Sequence, residues 1–307
     1  MIFMGNVFFF DWEIQFMAWL QSFESDFLTA VATGFTMMGE EYLMILIIGL
    51  VYWSLDKNLG RKISLALSGT MVCGAFFKCL AMRRRPYMDN PEIQCIRAAH
   101  PDEELMSVTA QGYSFPSLHA AMSAATYGSL ARETGKKLLG YLAFILPLFI
   151  GLSRNYLGVH YPTDVIGGWI IGAVVVFGIG AIEHRKGYMP AFAVILAIGA
   201  VGIFFAHDNE YFSCIGTALG LATGFKFEEK RVHFEKATTP RSIILRPIGG
   251  VLLFAVLSAL LKLPVASLPK AGYETFLLAY RAFRYAVTGF AIMGLYPLLF
   301  RKVRFLG

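Results

Sequence analysis

Charge is what this chain has least of. Only 16% of its 307 residues are Asp, Glu, Lys or Arg, against about a quarter in an ordinary soluble domain. With 56% hydrophobic residues and a mean hydropathy of +0.57, that shortage excludes a soluble globular fold and predicts an integral membrane protein. Cysteine is also scarce. Cys73 and Cys79 fall in one apolar span, Cys95 in a loop and Cys214 in a later span, so neither a disulfide framework nor a zinc site is expected. The first residues carry no basic stretch and no small-residue cleavage site follows, so no cleavable signal peptide is expected and the first spans are predicted to direct insertion.

What is present is a series of apolar runs, at about 40–55, 62–82, 117–133, 138–153, 161–183, 188–206, 211–225, 243–262 and 276–299. They predict nine crossings of a roughly 30 Å hydrocarbon layer and an all-α fold, a polytopic transmembrane helix bundle. Residues 1–38 fit a separate element. Asp11 and Glu13 among Trp12 and Trp19 suggest an amphipathic segment lying in the interface plane, with a break at Gly39 and with Glu40 and Glu41 at headgroup level. Gly168 and Gly172, and Gly216, Gly220 and Gly224, form small-residue stripes expected to let helices pack closely.

Seventeen of the 27 Lys and Arg residues lie in the loops at 55–62, 131–138, 184–187, 226–246 and in the tail 300–307, whereas the loops at 83–114, 207–210 and 263–275 hold five. The first set is therefore predicted to be cytoplasmic. The net charge of +6 follows from this asymmetry and gives no reason to expect nucleic acid.

Three stretches are predicted to arrive at the opposite face. The run from Ser153 to Asp164 places Arg154, His160 and Asp164 in one turn, with Pro162 suited to the first turn of a helix. Asp164 can reach back to one ring nitrogen of His160 and leave the other as a base or nucleophile. Taken alone, such a pair is more often a structural histidine than a catalytic one. Lys78 and Arg85 are seven residues apart, two helical turns or about 10 Å on one stripe, with Pro86 as the expected stop. A lysine inside an apolar span requires a partner or ligand. Ser117, after Pro116, is placed as an N-cap, so the N–H groups of Leu118 and His119 form an anion site with His119 on its rim.

Together the pattern Lys78-x6-Arg85-Pro86, Pro116-Ser117-x-His119 and Ser153-Arg154-x5-His160-x3-Asp164 resembles the signature of the type-2 phosphatidic acid phosphatase superfamily, which also includes glucose-6-phosphatase and the vanadium haloperoxidases. The resemblance covers about residues 24–185. Leu118 stands where glycine is frequent, a slot that supplies a backbone N–H, so the leucine is expected only to narrow the pocket. The run from Gly39 to Lys57 and the setting of Tyr113 to Ser117 look similar to the sphingosine-phosphate phosphatase branch.

The resemblance implies a six-helix-type phosphatase core at 39–185, with 186–307 as additional transmembrane helices matching no usable pattern. It implies a metal-independent hydrolysis of a lipid phosphate with no cofactor, at an extracytoplasmic or lumenal site, in a bacterial plasma membrane or an ER membrane. The substrate it implies is a polyprenyl diphosphate, a phosphatidate or a sphingoid-base phosphate. Lys78, Arg85, Ser117, Leu118 and Arg154 would bind phosphate, His160 would attack it, Asp164 would orient His160, and His119 would serve as acid and then base. His100, His184, His207 and His233 match no motif and read as loop residues. A haloperoxidase-like enzyme and a non-catalytic lipid-binding relative are the alternatives, the first disfavoured by a site at lipid level and the second by the presence of His119, His160 and Asp164.

Overall fold

The computed structural model describes residues 5–206, 208–269, 272–303 and 306; His207, Lys270, Arg304 and the first four residues lie outside them. The described residues form helices joined by turns, with one isolated bridge between Asn6 and Arg83. In chain order the α-helices are α1 Asp11–Gln21, α2 Asp26–Met37, α3 Glu41–Gly49, α4 Lys57–Ala81, α5 Pro86–Asp89, α6 Val108–Gln111, α7 Leu118–Thr134, α8 Lys137–Tyr156, α9 Pro162–Lys186, α10 Tyr188–Gly202, α11 Asn209–Phe227, α12 Pro240–Leu260, α13 Glu274–Phe290 and α14 Leu299–Lys302.

Among the described residues, five helical stretches are long and apolar enough to cross a membrane: Lys57–Ala81, Lys137–Tyr156, Pro162–Lys186, Pro240–Val265 and Glu274–Lys302. A sixth counts only if Asp26–Met37 and Glu41–Leu55 are taken as one broken span. Nine were expected. The difference lies in α7 and α10, which have 17 and 15 residues, and in α11, whose 19 residues fall short in hydropathy. The expected break at Gly39 is present, between α2 and α3.

The chain divides into two compact units, Met1–Glu40 with Cys73–Phe177, and Glu41–Val72 with Gly178–Gly307. In the first, α7 and α9 approach at glycines. A Cβ on Gly168 would lie 2.5 Å from the Ser117 carbonyl oxygen, and one on Gly172 would lie 2.7 Å from that of Ala121. The 168/172 stripe is thus a backbone-to-backbone contact, and it seats the start of α7 beside the start of α9. Helix α2 packs on α8 through Phe35 and Phe149, stacked at 5.0 Å. Helix α1 exposes Trp12 and Trp19, as an interfacial helix should, but it buries Ile14 and Met17 in a cluster with Ile93 and Tyr161.

In the second unit, Gly216, Gly220 and Gly224 of α11 meet Ala282, Ala286, Gly289 and Met293. Its buried charges are matched. Glu228 pairs with Lys57 at 2.8 Å, and Arg246 donates to the carbonyls of Trp53, Glu235 and Leu306.

One expected geometry is corrected. Lys78 and Arg85 do not share a helical stripe, because α4 ends at Ala81 and Met82 takes a positive φ of 48°. The chain then runs extended beside Asn6. Pro86 does not stop α4; it opens the short α5 at the position where its missing N–H costs nothing.

Candidate active site

The turn between α8 and α9 is held by its own polar groups. Pro162 starts α9, and Asp164 Oδ2 accepts from the Tyr161 N–H at 2.8 Å, so the carboxylate caps its own helix. Asn155 donates to the His160 carbonyl at 2.8 Å. His160 Nδ1 lies 3.5 Å from Asp164 Oδ2. That is ion-pair distance but not a formed hydrogen bond, and Nδ1 is buried without a hydrogen-bond partner among the described residues. Contacts of this kind are often long before substrate binds. With Nδ1 turned toward the carboxylate, Nε2 is the nitrogen left for chemistry.

Helix α7 is fastened to the same turn. The Ser117 N–H donates to the Asp164 carbonyl at 2.9 Å. The Ser117 hydroxyl caps α7 by accepting from Ala120 N at 3.5 Å, a long contact. The expected N-cap is therefore in place, and the N-terminus of α7 opens beside His160. Leu118 packs over Gly74 of α4, so its bulk enters a helix contact and is no basis for a narrowed pocket. His119, half-buried, lies against Gly39, where a Cβ would sit 3.2 Å from the ring.

Three cations converge on these histidines. Arg85 donates to the carbonyls of Gln111, Gly112 and Val159 at 2.7–3.1 Å, which fixes its guanidinium beside the residue preceding His160. Arg154 donates to Thr36 at 2.8 Å, while its Nε is buried without a partner among the described residues. Lys78 comes from the last turn of α4 and is 3% exposed. Burial first, and then the charges of Arg85, Arg154, Lys78 and His119, hold the His160 imidazole well below its usual range. That shift favours the neutral ring, whose lone pair is then available.

All eight sequence-predicted residues thus lie in one unit and, except for His119, are buried: Lys78, Arg85, Ser117, Leu118, Arg154, His160 and Asp164. The comparisons with known proteins match the sequence that carries them. Residues 60–188 match the PAP2 superfamily, and residues 212–306 match the PAP2 superfamily phosphatase transmembrane extension. Over 161 residues the chain is 34% identical to the decaprenylphosphoryl-5-phosphoribose phosphatase of Mycobacterium tuberculosis, covering 52% of this chain and 80% of that protein. The chain belongs to the PAP2 superfamily.

It is also 28% identical to an undecaprenyl-diphosphatase of Sulfolobus acidocaldarius, over 45% of this chain and 63% of that one. With phosphatidylglycerophosphatase B of Bacillus subtilis it shares 31% identity, over 25% of this chain and 43% of that protein. The chain thus spans less than two thirds of the length of these last two relatives. No solved structure matches. The transmembrane-extension match gives the C-terminal helices, for which sequence reading had no pattern, a place within the superfamily.

Sequence reading missed the groups behind Asp164. Arg83 donates from Nη1 to Asp164 Oδ1 at 2.7 Å and from Nη2 to Glu13 Oε2 at 2.8 Å. By sequence Arg83 reads as a charge of the outer loop facing the headgroup, and Glu13 as an interfacial carboxylate. Arg97, also counted among loop charges, pairs with Glu40 at 2.8 Å.

Proposed function

We propose that this protein is a membrane phosphatase that removes phosphate from a lipid through a phosphohistidine on His160. Burying a cation is costly unless an anion or a hydrogen-bond acceptor completes it. The observation that supports the reading best is the unpartnered Nε of buried Arg154 in a site where Arg85, Arg154 and Lys78 all act on His160. A phosphate oxygen supplies what that N–H lacks.

In the mechanism, Lys78, Arg85 and Arg154 neutralise the bound phosphate, and Ser117 with the α7 N-terminus donates to its oxygens. Neutral His160 attacks phosphorus through Nε2, forming the N–P bond as the ester or anhydride P–O bond breaks. His119, protonated in the complex where the bound phosphate dianion offsets the neighbouring cations, gives its proton to the leaving oxygen. It then takes a proton from water, which attacks the phosphohistidine and releases inorganic phosphate. Asp164 balances the positive charge that the His160 ring acquires on phosphorylation. With three fixed cations around the phosphate, the scheme assigns no step to a metal ion.

The loop asymmetry of Lys and Arg supports a site on the extracytoplasmic or lumenal side. The substrate proposed is a phosphomonoester or diphosphate on a long prenyl, acyl or sphingoid chain, because each methylene kept in the apolar phase is worth about 0.8 kcal/mol and holds the headgroup at the site. The test is phosphate release by detergent-solubilised protein across a substrate panel. Lipid phosphates are expected to exceed glucose 6-phosphate in kcat/KM by at least about a hundredfold, roughly 2.7 kcal/mol. Equal efficiency on the soluble sugar phosphate, or halide oxidation without phosphate release, refutes the reading.

A further inference from the structure

Glu13 is a carboxylate in a helix that exposes tryptophans, yet it is itself 0% exposed. Every bond it makes leads to the catalytic turn or to its own helix start. Oε2 accepts from Arg83 Nη2 at 2.8 Å and from the Phe10 N–H at 2.9 Å. Oε1 accepts from the Thr163 hydroxyl at 2.6 Å and the Thr163 N–H at 3.1 Å.

Arg83, 1% exposed, uses its remaining donors on Asp164 Oδ1, the Thr163 hydroxyl and the Phe8 carbonyl, at 2.7, 2.7 and 2.8 Å. Its guanidinium lies 3.8 Å from the centre of the Tyr161 ring. The cluster Glu13–Arg83–Asp164 is therefore dry, with two carboxylates sharing one guanidinium.

That charge count has a consequence for His160. Were Arg83 and Asp164 alone, they would form a neutral pair, and Asp164 would have little negative charge left for the imidazole behind it. Glu13 competes for the same cation and leaves the cluster with one net negative charge, beside the ring that becomes cationic on phosphorylation. We propose that Glu13 is a positioning residue for His160: through Arg83 it fixes Asp164 and leaves it the charge to stabilise the phosphorylated imidazole. Helix α1, which precedes the matched family region 60–188, is then part of the catalytic apparatus. This inference rests on the phosphohistidine reading.

The test compares wild type, Glu13→Gln, Arg83→Gln and the double variant in detergent, with the thermal midpoint of each recorded. Glu13→Gln keeps the shape and removes the charge. It is expected to lower kcat about ten- to hundredfold, the range for residues that orient a functional side chain from behind, with KM within about threefold since no phosphate contact is lost.

The groups facing His160 are Arg85, Arg154, Lys78, His119 and Asp164. Loss of the net negative charge leaves the cations less opposed, so the acid limb of kcat/KM is expected to move to lower pH. Adding Arg83→Gln to Glu13→Gln removes the cation as well and returns the net charge to minus one, so the double variant is expected to recover part of kcat over Glu13→Gln alone. A merely structural clamp predicts the opposite, a double variant worse than either single one. Unchanged kcat in folded Glu13→Gln, or a loss of kcat matched by loss of folded protein with an unmoved pH limb, overturns the proposal. Loss of phosphoenzyme in wild type itself would instead refute the underlying mechanism.

Discussion

Gly168→Ala tests whether the site depends on the close approach of α7 and α9. The added Cβ would lie 2.5 Å from the Ser117 carbonyl oxygen and 3.1 Å from both the Ala120 Cβ and the Ala121 nitrogen. All but one of these neighbours are backbone atoms, which cannot rotate aside. Restoring a carbon–oxygen contact of about 3.3 Å requires the two helix starts to separate by roughly 0.8 Å. Overpacking of this kind costs about 1–3 kcal/mol. The same separation pulls on the 2.9 Å bond from Ser117 N–H to the Asp164 carbonyl, the one that ties the α7 N-terminus to the turn that carries His160. A displacement of about 1 Å at reacting groups costs about a hundredfold in rate. The expected outcome is a lowered thermal midpoint together with kcat reduced by one to two orders of magnitude. Gly178→Ala serves as control, since a Cβ there meets nothing within 4 Å. Full activity in Gly168→Ala, or an equal loss in Gly178→Ala, would refute the reasoning.

Further outcomes are expected. Activity should survive EDTA, and orthovanadate should inhibit by occupying the phosphate site in five-coordinate form; complete loss with EDTA restored by magnesium contradicts the three-cation scheme. Because burial and neighbouring cations depress the His160 pKa, the neutral nucleophile persists as pH falls, and kcat/KM should show no limb from this group near its ordinary value of about 6.5. A pH–rate series in which a limb at about 6.5 is assigned to His160 contradicts that. In a cysteine-free background, a cysteine at exposed Glu92 should react with a membrane-impermeant thiol reagent in sealed right-side-out vesicles, and one at exposed Lys186 should not; the reverse pattern places the site in the cytoplasm.

The local geometry of the candidate site was legible because it is set by residues close in sequence. The four-residue spacing of His160 and Asp164, Pro162 at a helix start and Ser117 ahead of an apolar run each set geometry within one helical turn, and α7 and α9 begin where those residues indicate. The Lys78–Arg85 relation was read on the wrong backbone. Nothing in Met82 announces a left-handed residue, and the extended stretch after it is set by Asn6, far away in sequence. Glu13 was out of reach for the same reason. Its partners Arg83 and Thr163 lie 70 and 150 residues on, and an acidic residue among exposed aromatics reads as interfacial until its one buried face is seen. The count of spans differs from nine because each apolar run reads as a crossing, whereas α7 and α10 are shorter than one and α11 is less apolar.

The most direct measurement is to trap the enzyme during turnover with a substrate carrying labelled phosphate and to map the label. Acid-labile, alkali-stable phosphate should appear on His160, disappear in His160→Ala, and persist longer in His119→Ala, where the water is no longer activated. Stable label on any other residue, or turnover retained in His160→Ala, would contradict the account.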